Sequence, residues 1–148
     1  MKWTRVPASQ LPRFEEVHKS KGGVTVTFRA SPFDVPEAFR GRFDEDEQVF
    51  VIEFRYLANE PLIRESHDPV VWAETGRNSG RLYRLGLDVK ALKAQSVAVE
   101  VQAVSELKEA IECLITKHPT ATTSYRAARA LANSVINSRD FKEATAAL

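Results

Sequence analysis

The residues able to do acid–base chemistry are few: Glu53, Glu65, His67, Asp68 and Glu74. Glu53 follows Val49 and Val51 on one face of an alternating stretch, Gln48 to Leu57. A carboxylate in that setting is partly desolvated, which raises its pKa and suits a general acid. Arg55 lies two residues on along the same face and would lower it, so an ion pair between Glu53 and Arg55 is the expectation. His67-Asp68 precedes Pro69 in a turn that could orient an imidazole, yet no nucleophile stands at a motif spacing from it. The catalytic candidates reduce to Glu53 and His67.

The loop Gly76-Arg77-Asn78-Ser79-Gly80 could offer backbone N–H groups, with Arg77 and Arg81, to an anion. A phosphate loop joins a strand to a helix and carries Gly-Lys-Ser/Thr. This one is flanked by strand-like runs, and its glycines and asparagine are also what a hairpin loop requires. Arg40, Arg42, Arg55, Arg77, Arg81 and Arg84, with Tyr56, Trp72 and Tyr83, could form a basic aromatic sheet surface of the kind that binds single-stranded nucleic acid. Glu53, Glu74 and Asp88 are placed to neutralise those arginines as cross-strand pairs, which disfavours nucleic acid. Candidate ligand contacts are Arg55, Arg77, Arg81 and Arg84. His18, His67 and His118 stand about fifty residues apart without a second ligand at zinc spacing, and Asp44 to Glu47 lacks the glycine of a calcium loop. No metal and no cofactor are expected. Cys113, among Ile111, Leu114 and Ile115, reads as a buried or boundary thiol.

Composition excludes other classes. The 148 residues are 43% hydrophobic and 28% charged, with net charge +1, as in an ordinary folded domain. The signs also balance locally: 8 basic and 8 acidic groups in residues 1–47, and 7 of each in 48–104. No global field draws nucleic acid or an anionic membrane. No stretch approaches the roughly 20 apolar residues of a membrane span. The start, Met-Lys-Trp-Thr-Arg-Val-Pro, lacks a signal-peptide core, and one cysteine cannot form an internal disulfide. A single cytoplasmic domain spanning 1–148 is the expectation.

The elements that must position these groups follow from periodicity. Gln48 to Leu57 predicts a central strand, with Phe50, Ile52, Phe54 and Tyr56 facing the main core. Ser9 to Lys19 predicts a short N-terminal helix through Leu11, Phe14 and Val17. Strands are predicted over Val24–Arg29, Ala38–Phe43, Leu62–Glu65, Val70–Thr75, Arg81–Val89 and Ser96–Ala103. Asp44 to Glu47 is read as a hairpin turn. Helices are predicted from a cap at Ser105 up to Pro119, and from Thr123 to an interruption at Asn137-Ser138. Phe141 and Leu148 would anchor a terminal turn. The fold class is α+β: an antiparallel sheet of about five to seven strands within residues 24–103, backed by two or three C-terminal helices.

No motif specifies a reaction. The leading reading is a non-enzymatic binding or interaction module that self-associates as a homodimer, because Val49, Val51 and Leu82 lack an evident cover on the second sheet face. The N-terminal helix is the one element that could cover it. Two other readings stand beside this one. A small enzyme or binder could hold its pocket between sheet and helices, using Glu53, Arg55, Arg84 and His67. Nucleic acid could bind through the arginines of the 76–84 hairpin.

Overall fold

The computed structural model describes residues 3–6, 17–21, 24–28, 34–95 and 97–146. The strands are β1 (Thr4–Arg5), β2 (Val17–Lys21), β3 (Val24–Phe28), β4 (Ala38–Asp44), β5 (Val49–Arg55), β6 (Leu62–Ser66), β7 (Val71–Gly76) and β8 (Leu82–Asp88). The helices are α1 (Val89–Gln95), α2 (Val99–Lys117), α3 (Thr122–Ile136) and α4 (Arg139–Ala144). Six strands form one antiparallel sheet in the order β1-β4-β5-β8-β7-β6, while β2 and β3 pair with each other. The arrangement is α+β, and β5 is one of the two innermost strands, as its β-branched and aromatic composition requires.

Alternation on β5 divides the sheet into two faces. Phe50, Ile52, Phe54 and Tyr56 are buried with Leu85 and Leu87 of β8 and the apolar sides of α2 and α3. Phe141 of α4 closes this core, packed edge-on against Phe50 with ring centroids 5.1 Å apart. Ser138 caps α4 by accepting the Phe141 N–H, so the predicted break at Asn137-Ser138 is where one helix ends and the next begins. Polar groups within the core are satisfied: the Tyr56 hydroxyl donates to the Leu82 carbonyl and shares a 2.6 Å hydrogen bond with Ser124, and the Thr145 hydroxyl donates to the Phe141 carbonyl. Leu148 and most of the predicted N-terminal helix, residues 9–16, lie outside the described residues. Val17 to Lys19, the end of that predicted helix, belong instead to β2, paired with β3.

Three further expectations are corrected. The strand predicted over Ser96–Ala103 is not found among its described residues: from Val99 onward they are the start of α2, and Ser105, the predicted cap, lies inside that helix. Val97, Val99 and Val101 alternate like a strand, but Val99, Ala103, Leu107, Ala110, Ile111 and Leu114 fall on one helical side and are the residues buried. Val97 and Val101 are 93% and 73% exposed. Val89 is likewise helical rather than the end of a strand, because the Asp88 carboxylate accepts the Ala91 N–H and opens α1. Cys113, expected at a buried or boundary position, is exposed on α2.

This assignment is testable by urea unfolding. Val101→Glu should shift stability by no more than about 0.5 kcal/mol, as at other open surface sites. Leu107→Ala should cost about 2–5 kcal/mol. A large loss at Val101 would restore the strand reading.

Candidate functional site

On the face of the sheet away from the helices, the organising residue is Glu53. Its side chain is 3% exposed, so an ionised carboxylate there requires partners. Strand register supplies them: Arg40 of β4 and Arg84 of β8 lie directly opposite Glu53 on either side, and Arg42 sits one step along the same face. Arg40 donates from Nε at 2.7 Å to Oε2, and Arg42 donates from Nε at 2.6 Å to Oε1. The Arg84 guanidinium stands farther off, at 3.9 Å. Burial, the largest influence, raises the Glu53 pKa, but the hydrogen bonds and charges of Arg42 and Arg40 outweigh it and hold the carboxyl below its ordinary value.

The expected pair of Glu53 with Arg55 is therefore corrected. Residues two apart on a strand share a face, whereas the closer neighbours are those directly across the ladder. Arg55 instead donates to Glu37 at 2.9 Å. Arg84 shares Glu74 with Arg64, at 3.4 and 3.3 Å, which is the predicted cross-strand pairing of that carboxylate. Trp3 lies beneath Arg40 and Arg55, with guanidinium carbons 4.3 and 5.1 Å from the ring centroid. Trp72 packs on the bare backbone of Gly86 and is covered by Arg64 at 3.9 Å.

These side chains close the face over its apolar residues. Val51 is buried, Val49 is half-buried, and Leu82 is not on this face at all. A bulge where β7 meets β8 pairs Thr75 with Leu82 and Glu74 with Arg84, leaving Tyr83 as the extra residue and turning Leu82 into the helix-side core. The exposed strip expected at Val49, Val51 and Leu82 is thus absent.

Glu53, Arg55 and Arg84 do meet in one cleft of about 300 Å³, which they line with Trp3, Arg40 and Glu60. His67 is not part of it. Its N–H donates to Val71, while Asp68 accepts the N–H groups of Val70 and Val71 and shapes the β6–β7 turn. The hairpin arginines separate as well: Arg81 donates to Asp34 at 2.9 Å, and Arg77 is exposed. Tyr56 is buried in the core, as its place in the alternation of β5 predicts, and Tyr83 is buried too but borders the outer cleft, so neither offers an open ring for stacking. A second cleft, of about 410 Å³ beside Arg42, Phe43, Lys93 and Asp140, gathers none of the predicted site residues. Sequence reasoning passed over Trp3 and Glu60. Neither carries a local signal, because each acquires its role only through segments distant in the chain.

Comparison with known proteins finds no match among protein-family models, curated proteins or solved structures.

A depressed carboxyl pKa contributes stability that is present above the unfolded value, near 4.5, and is lost as pH falls through the folded value. Glu60, Glu65 and Asp68 are lowered too and act with the same sign. Comparing the wild type with Glu53→Gln isolates Glu53. The variant should be less stable by about 1–3 kcal/mol at pH 7, nearer the lower figure because solvent screens the two guanidinium groups. The gap should close toward pH 3. A gap unchanged with pH would show that Glu53 is not an ionised partner.

Proposed function

We propose that the protein is a non-enzymatic binding module that docks an acidic polypeptide segment in the cleft around Trp3, Arg40, Arg55 and Arg84. The observation that carries the reading is a cluster of guanidinium groups at the cleft in which Arg84 is only loosely paired. Arg40, Arg42, Arg55, Arg64 and Arg84 line this face and pair there with Glu37, Glu53 and Glu74, while Glu60 borders the cleft and Asp44 and Asp88 lie at the far end of the same face beside Val49. Arg84, 43% exposed, touches its carboxylates only at 3.4 and 3.9 Å, so its donors are open to a better acceptor. Arg40 is already fixed by Glu53 and by stacking on Trp3, which limits the side-chain entropy lost on binding.

A catalytic role finds less support, since Glu53 is held ionised between two arginines and is unsuited to donate a proton at neutral pH. Nucleic acid also finds less support. Both indoles are already engaged by guanidinium groups, and Trp72 rests on Gly86 with its other side covered, so base stacking would have to displace existing contacts. Carboxylates on a peptide need only the guanidinium edges.

Self-association is favoured as a second reading by the edge strand β6. The bonds from His67 N–H to Val71 and from Arg77 N–H to Pro61 put the odd-numbered residues of β6 in contact with β7. By alternation, Leu62, Arg64 and Ser66 turn their backbone groups outward, beside a 46% exposed Ile63.

Hexaglutamate titrated against Trp fluorescence tests the first reading. Saturable, salt-sensitive binding should weaken about tenfold in Arg84→Ala, the loss of one charge-assisted bond. Equal binding by wild type and variant would refute the cleft. Light scattering across a dilution series addresses the second reading, and a monomer at every concentration would remove it.

A further inference from the structure

The 76–81 loop holds an anion already, and that anion belongs to the protein. Glu60, in the crossover between β5 and β6, accepts the backbone N–H groups of Asn78 and Ser79 on Oε1, each at 2.9 Å. Its Oε2 accepts the Ser79 hydroxyl at 2.7 Å and the Tyr83 hydroxyl at 3.1 Å, with the Arg81 guanidinium at 3.9 Å. Two successive amides, two hydroxyls and a cation thus converge on one carboxylate whose side chain is 10% exposed. The loop is shaped for this by Gly80, whose φ of +74° is open to glycine, and whose N–H closes the turn on the Gly76 carbonyl at 2.8 Å. Arg81 N–H donates to Ser79 Oγ, which turns that hydroxyl's own proton toward Glu60.

The anion chemistry suggested by the glycines and arginines of this loop is therefore built, but its occupant is internal. The crossover that delivers Glu60 exposes Leu57, Ala58 and Asn59 and has few other ties to the hairpin: Arg77 N–H to the Pro61 carbonyl, and the Tyr83 hydroxyl to the Ala58 carbonyl. Glu60 also lines the outer cleft, so the receptor opens toward solvent on that side. An occupant tethered this way competes with any external oxyanion as an intramolecular ligand at high effective concentration.

We propose that the 76–81 loop is an oxyanion receptor that Glu60 occupies in the free protein, and that a carboxylate or phosphate group takes the same donors when Glu60 is displaced. Glu60 then acts as a plug, setting the affinity threshold an incoming acid must exceed. The inference goes beyond the acidic-partner reading and does not depend on it, because it turns on the Asn78 and Ser79 amides rather than on Arg40, Arg55 and Arg84.

The test uses the full chain, wild type and Glu60→Ala, titrated with sodium formate and with inorganic phosphate at constant ionic strength. Amide ¹H–¹⁵N spectra are read at Asn78 and Ser79. The variant should show saturable shifts at both amides with at least one of the two anions, at concentrations at least tenfold below those needed in the wild type. Its lowered Tm should rise with the same anion and not with chloride. Formate acting alone would define a carboxylate receptor, and phosphate acting would define a wider one. If Glu60→Ala does not fold, Glu60→Gln replaces it, with the same order of affinities expected. No shift at Asn78 and Ser79 in a folded variant, or shifts confined to Arg40 and Arg84, would overturn the receptor, and the second outcome would leave the cleft reading intact.

Discussion

A carboxylate cannot remain charged inside a sheet unless cations come to it, and Glu53 imposes that condition on the whole outer face. Its two oxygens take Arg40 and Arg42 separately, which fixes both side chains above β4 and across β5. Arg40 in turn lies on Trp3, and Trp3 takes Arg55 on as well. From one buried charge the order spreads through guanidinium groups to the sheet's β1 side. On the other side Arg84 links Glu53 to Glu74, and Arg64 carries the network on to Trp72. The helices cover one face of the sheet, and this carpet of long side chains covers the other.

That arrangement explains why the outer face is not a second core. Val51 is buried between Arg42 of β4 and Gly86 of β8, its partners across the ladder, while the guanidinium groups of Arg40, Arg42 and Arg84 stay partly exposed. The face is therefore apolar beneath and lined by paired charges above. An ion pair of this kind adds little stability compared with a well-packed apolar substitute, but it holds donors in defined directions. On the binding reading proposed above, a partner carboxylate would meet guanidinium groups that are already oriented by the strands beneath them. The same logic recurs at the 76–81 loop, where the Glu60 carboxylate gathers the Asn78 and Ser79 amides and the Ser79 hydroxyl around itself. Both places use the protein's own acid to hold a basic or N–H-rich site in shape.

Much of this was legible along the chain, and the misses have identifiable physics. β5 could be read with its faces because its composition leaves one pattern open. The Gly76–Gly80 hairpin was legible because positive φ needs glycine, and Gly80 has it. The valines at 97, 99 and 101 misled because period two and period four coincide over so short a run: Val99 and Ala103 lie on one helix side just as Val97 and Val101 lie on another. Leu82 was placed on the wrong face because a single inserted residue, Tyr83, reverses the alternation beyond it, and a bulge has no residue signature here. Glu53 was recognised as the interesting carboxylate, but its partners were not, since they depend on register between strands rather than on neighbours in sequence. Glu60 and Trp3 gave no sign because their contacts close loops of about twenty to forty residues.

The most direct test of the account is the titration of Glu53 itself, followed through its side-chain carboxyl carbon by NMR on selectively labelled protein. A midpoint below the ordinary glutamate value, near 4.5, would show a carboxylate held ionised by Arg40 and Arg42, as the organisation of the outer face requires. A midpoint above that value would mean that desolvation prevails. Glu53 would then be a proton donor in a cleft, and the arginine face would lose the anchor on which the binding reading depends.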